Sequence, residues 1–84
     1  MEQVKTINSG IHIKYLRAYF AGITNHQSGD NYYGEQFHIE LRPQIDRVHG
    51  TMALPHTEIV FVGDLEIVER QMHLYRMAFL SAGG

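Results

Sequence analysis

The chain has no cysteine and no tryptophan. Without thiols, disulfides, thiolate zinc sites and cysteine nucleophiles are all excluded. Stability must then come from packing, from a histidine/carboxylate metal site or from association with another copy. Proline is scarce, at two residues in 84, and there is no linker, repeat or low-complexity segment. Charge of one sign is scarce too. Seven Lys or Arg against nine Asp or Glu give a net charge of −2, too weak a field to steer polyanions, so nucleic acid is not an expected partner. No stretch approaches the ~18 consecutive apolar residues of a membrane span. The opening Met1-Glu2-Gln3-Val4-Lys5 has neither the apolar run of a signal peptide nor the Arg/Ser bias of a transit peptide. The expectation is a cytoplasmic protein with no membrane attachment.

What is present is the composition of a folded domain: 44% apolar residues with five Tyr, four Phe and four Met. A chain this short forms one domain, residues 1–84, and hides only about 60% of the surface its unfolded form exposes. The most coherent periodicity lies in residues 64–84. At 100° per residue Leu65, Val68, Met72, Tyr75 and Phe79 form one stripe, flanked by Ile67, Leu74 and Ala78, while Glu66, Glu69, Arg70, His73 and Arg76 share the opposite arc. Asp64 suits the N-cap and Gly83 a left-handed C-cap. The competing reading is a hairpin turning at 62–65. The apolar arc covers about half the helix circumference, more than one small sheet requires. Met72, Tyr75 and Phe79 are therefore the expected interface of a homo-oligomer.

Ahead of this helix the pattern is β-like. Residues 3–7 and 11–16 read as a hairpin about Asn8-Ser9-Gly10, and 22–36 reads as a long loop rich in turn-formers. Phe37, Ile39 and Leu41 alternate with His38, Glu40 and Arg42 in a half-buried strand ending at Pro43. Residues 47–54 alternate likewise, and 57–62 is apolar on both sides, as in a central strand. The sum is an α+β domain: a small antiparallel sheet of about five strands with one C-terminal amphipathic helix packed on one face.

Chemistry is thinly marked. His38, Glu40 and His49 would share the solvent face of the sheet, and imidazoles with a carboxylate can hold a divalent metal. This would make a metal-dependent enzyme, although scattered surface histidines give the same pattern. No Gly-x-Ser-x-Gly elbow, phosphate loop or dinucleotide fingerprint is present, so no catalytic residue and no cofactor is expected. Lys14, Tyr15, Arg17, Tyr19 and Phe20 interleave basic and aromatic residues, as a strand binding single-stranded nucleic acid would; core aromatics explain them equally well.

The 25–36 loop is the segment to which binding is assigned. Tyr32 and Tyr33 offer flat contact area at low entropy cost, with Asn25, His26, Asp30, Asn31 and Glu35 as adaptable polar groups. The final Gly83-Gly84 resembles the diglycine end of ubiquitin-like modifiers and sulfur carriers, in which it follows a last β-strand on a flexible tail. Here the periodicity predicts helix to about Ala82, where glycine serves as a stop signal. The expected function is that of a small non-enzymatic binding protein, an inhibitor or adaptor that could be virus-encoded. It would act as a homo-oligomer and recognise a protein surface or a polar small ligand through the 25–36 loop.

Overall fold

The computed structural model describes residues 1–44, 47–49, 52–54 and 56–79, with the backbone alone described at 47–49 and 52–54. In chain order the elements are β1 (Glu2–Ser9), α1 (Ile13–Ile23), β2 (His26–Ser28), β3 (Asn31–Gly34), β4 (Phe37–Pro43), β5 (Arg47–His49), β6 (Met52–Leu54), β7 (Thr57–Asp64) and α2 (Leu65–Phe79). The run Ile59-Val60-Phe61-Val62 needs neighbours on both edges. It has them, because β7 lies between β1 and β4 in a five-stranded sheet of order β1-β7-β4-β3-β2, with every pairing antiparallel. Strands β5 and β6 form a separate two-stranded ribbon. The Gln44 N–H, donating to the His56 carbonyl at 2.9 Å, extends the β4–β7 ladder toward it.

Both helices cover the same face. Leu16 and Phe20 from α1, Tyr32, Ile39, Leu41, Ile59 and Phe61 from the sheet, and Val68 and Tyr75 from α2 make one buried cluster. Phe20 sits at its centre, edge-on to Phe61 at 6.1 Å and stacked on Tyr75 at 6.4 Å between centroids. The Tyr75 hydroxyl and Ser9 Oγ share a buried hydrogen bond of 2.7 Å, which fixes α2 to the end of β1. This is the α+β architecture expected from the sequence, with one helix more.

That helix corrects the first hairpin. Residues 11–16 do not return along β1, because Ile13, Leu16, Phe20 and Ile23 recur at helical spacing and put Leu16 and Phe20 into the core. His12 caps the helix through Nδ1, which accepts the Lys14 N–H at 3.2 Å. Thr24 closes it by donating its hydroxyl to the Phe20 carbonyl at 2.6 Å. The partner of β1 is β7, through all eight of its residues from Glu2↔Asp64 to Ser9↔Thr57. The proposed nucleic-acid strand from Lys14 to Phe20 is thus helix, and its Phe20 is buried.

The supposed long loop is likewise shorter than expected, since its middle folds as the β2–β3 hairpin, with Ser28↔Asn31 at its end. The strand read over 47–54 divides into β5 and β6, paired from Arg47↔Leu54 to His49↔Met52. The C-terminal helix is present as read, and the hairpin alternative at 62–65 falls. Val68 and Tyr75 are buried, with Met72 and Phe79 packed partly against the core, but Leu65 stays 44% exposed. Asp64, expected as the cap, ends β7 and accepts from the Met1 ammonium at 3.3 Å. The proposed Gly83 cap lies outside the described residues. Among those residues no helix is long and apolar enough to cross a membrane.

At Gly63 the backbone geometry requires glycine. Gly63 has φ +154°, and a Cβ there would come within 2.9 Å of the Gln36 carbonyl oxygen. Gln36 itself takes φ +68° in the tight Glu35-Gln36 turn that joins β3 to β4.

Candidate functional site: the open face of the sheet

With both helices on one face, the other carries no helix among the described residues. Val60, which the register puts on it between Glu40 and Thr6, is only 4% exposed, and the more open part lies along the neighbouring His38–Val62 row. Residues directly opposite in an antiparallel pair share a face, so the register can be read straight across. His26↔Tyr33, Tyr33↔His38, His38↔Val62 and Val62↔Val4 make a single row through all five strands. Tyr33 lies 39% exposed and Val4 62% exposed.

The row is ordered by ring contacts. Tyr33 stacks on His38 with centroids 4.6 Å apart and planes 6° from parallel, and His26 lies tilted on the other side of Tyr33 at 5.7 Å. His38 Nε2 and Asn31 Oδ1 share a hydrogen bond of 3.0 Å. These contacts hold three flat rings against the sheet at little further cost in side-chain entropy.

Beside the row runs a polar one. Arg42 bridges two acids, Glu40 at 3.0 Å and Glu58 at 3.4 Å. Its guanidinium is raised from the ordinary arginine value, first by the hydrogen bond to Glu40, then by the charge of Glu40, with Glu58 adding less. An apolar and aromatic strip thus runs beside a charged row on this face.

The structure divides the predicted binding residues. Tyr32 is fully buried, its hydroxyl accepting from Gln27 Nε2 at 3.3 Å, and it belongs to the core. Asp30 takes Arg17 in a two-pronged pair of 2.9 and 3.2 Å that ties α1 to the β2–β3 turn. Asn25 donates its backbone N–H to the Tyr33 carbonyl at 3.0 Å, and Glu35 sits exposed in the β3–β4 turn. His26, Asn31 and Tyr33 remain on the open face. Of the predicted metal set, His38 and Glu40 share that face but already engage Asn31 and Arg42, and the side chain of His49 lies outside the described residues. Among the described residues no three His, Asp or Glu come together as a metal cluster. Of the predicted oligomer interface, Tyr75 is buried within the chain's own core, and Met72 and Phe79 lean on the same core. The exposed apolar groups of α2 are Leu65, Leu74 and Met77. Val4 and Val62 were missed because their neighbours across the sheet cannot be read without the register.

The fold and the open face define a small α+β domain with one covered and one presented sheet surface. The family model described as Archaeal MoaD-like protein matches residues 4–84, and the chain belongs to that family. The family suggests a small β-grasp protein, and here one face of the sheet packs against two helices. No curated protein matches the chain, and no solved structure does.

Proposed function

We propose that this is a non-enzymatic carrier protein, which docks on a partner enzyme through the open face of its sheet and presents Gly83-Gly84 to it. The observation that carries this reading is the family match, which continues through residue 84 and so includes both glycines. The diglycine is the feature in which the chain resembles ubiquitin-like modifiers and sulfur carriers, with the difference that here the last described element before it is the helix α2 and not a strand. Its use is physical: two residues without side chains can enter a narrow cleft that any Cβ would block. A glycine carboxylate is a poor acyl donor until another protein activates it, so a carrier needs a docking surface as well as a tail. The His26–Tyr33–His38–Val62–Val4 row supplies a candidate surface. Self-association through α2 has less in its favour, because the Tyr75 side chain is occupied within the chain's own core.

The test is the intact mass of the protein isolated from its native cells, with the modified residue mapped by fragmentation. The reading includes a mature carboxyl end at Gly84, and expects a fraction in which one oxygen of that carboxylate is exchanged for sulfur, or in which Gly84 is joined to an amine of a second protein. It also expects Gly84→Ala to abolish that fraction. Only unmodified chain, in cells where the protein is expressed and active partners are present, would overturn it.

A further inference from the structure

The edge of the sheet beside α2 has a different character from either face. Among the described residues strand β1 has a neighbour on one side only, so every second residue turns its N–H and C=O away from β7 with no described strand to receive them. Lys5 stands opposite Phe61 in the register, and because Phe61 belongs to the covered face, Lys5 projects toward α2. There it meets Glu69, Met72 and Arg76 around a hollow of about 240 Å³. Among the described residues neither Lys5 nor Arg76 has an ion pair, every recorded bridge being made elsewhere. The hollow therefore sets two cations that form no ion pair against one carboxylate, a net charge of +1, with the Met72 thioether as apolar lining.

We propose that the groove between the free edge of β1 and α2 binds an extended acidic peptide of a partner protein, which adds to the sheet as a sixth strand. Backbone hydrogen bonds to β1 would supply most of the affinity, and the side chains facing α2 would supply selectivity. One face of such a peptide lies over Met72 and places a carboxylate between Lys5 and Arg76. The eight residues of β1 give a track of roughly 27 Å at the rise of an antiparallel strand. Charge decides the occupant. A second copy pairing its own β1 about a two-fold axis at Lys5 would bring two ammonium groups together, whereas an acidic strand neutralises them. The site lies at the edge of the sheet, apart from the open face, and does not depend on the carrier reading.

Panning a random octapeptide library against the full chain, with Lys5→Glu/Arg76→Glu as the counter-target, tests this. Both side chains are exposed, and circular dichroism establishes that the variant is folded. The expected result is enrichment of peptides combining Asp or Glu with β-branched residues. They should bind the double variant at least about tenfold more weakly, lose affinity with salt, and protect β1 amides from hydrogen exchange. The milder Lys5→Gln/Arg76→Gln variant should fall between the two. No enrichment, peptides that bind both proteins equally, protection at β2 or the open face instead of β1, or a doubling of molecular mass through β1 would each overturn the proposal.

Discussion

Tyr32 and Tyr33 stand side by side in β3, yet the first is wholly buried and the second 39% exposed. The pleat of the strand turns them to opposite sides. Tyr32 packs against Phe20 at 6.2 Å beneath the helices, while Tyr33 lies between two imidazoles on the open side. What looks like one recognition segment is therefore two, one anchoring the hairpin and one facing outward. The same division runs through the whole sheet: Ile39, Leu41, Ile59 and Phe61 hold the fold, and His26, His38, Val62 and Val4 are available to a partner.

The comparison can be broken by substitution. Tyr32→Ala should cost about 3–5 kcal/mol in urea unfolding, since it empties a buried site that the backbone cannot refill. A loss below about 1 kcal/mol would mean the hairpin does not pack as described. Tyr75→Phe removes only a hydroxyl but leaves buried Ser9 Oγ without that partner, and should cost about 1–2 kcal/mol. Gln71→Met acts in the other direction. Gln71 Oε1 is buried without a hydrogen-bond partner among the described residues, and its removal should raise stability by about 1 kcal/mol. Tyr33→Ala should cost only about 0.5 kcal/mol, the worth of an exposed ring stack, while partner capture is lost.

Alkali sharpens the contrast further. Burial raises the phenols of Tyr19 and Tyr32, with Asp30 adding to the rise at Tyr32 and Arg17 opposing it. A folded value above the unfolded one, near ~10, means that both contributions are intact below that pH and are lost as pH climbs through it toward the folded value. Stability should thus be insensitive to these two groups up to about pH 9 and fall above it. Tyr19→Phe/Tyr32→Phe should flatten the fall, as unfolding midpoints measured across the alkaline range would register.

The long, unbroken patterns were legible in the sequence. β4, β7 and α2 follow from alternation, continuous apolar character and helical spacing. The first helix was concealed by Ile11, Ile13 and Tyr15, whose alternation imitates a strand while Ile13, Leu16 and Phe20 keep helical period beneath it. Strands of three and four residues such as β2 and β3 are too short to carry periodicity, and the turn-formers around them dominate. The open-face row was legible only in part: His26, Tyr33 and His38 stood out by residue type, but Val4 and Val62 did not, and the row itself joins residues from five strands through a register that no local pattern encodes. His38 shows the consequence: its residue type drew attention to it, but its place in a ring stack with Tyr33 depends on the register.

The most direct test of the outward role of the open face is photo-crosslinking in the native cell, with benzoylphenylalanine placed at Tyr33 in one strain and at Tyr15 in another. Tyr15 lies 55% exposed on α1 and serves as the matched position on the helix side. A single discrete adduct from position 33 and none from position 15 is the expected result. An adduct from position 15 alone, or equal adducts from both, would contradict it.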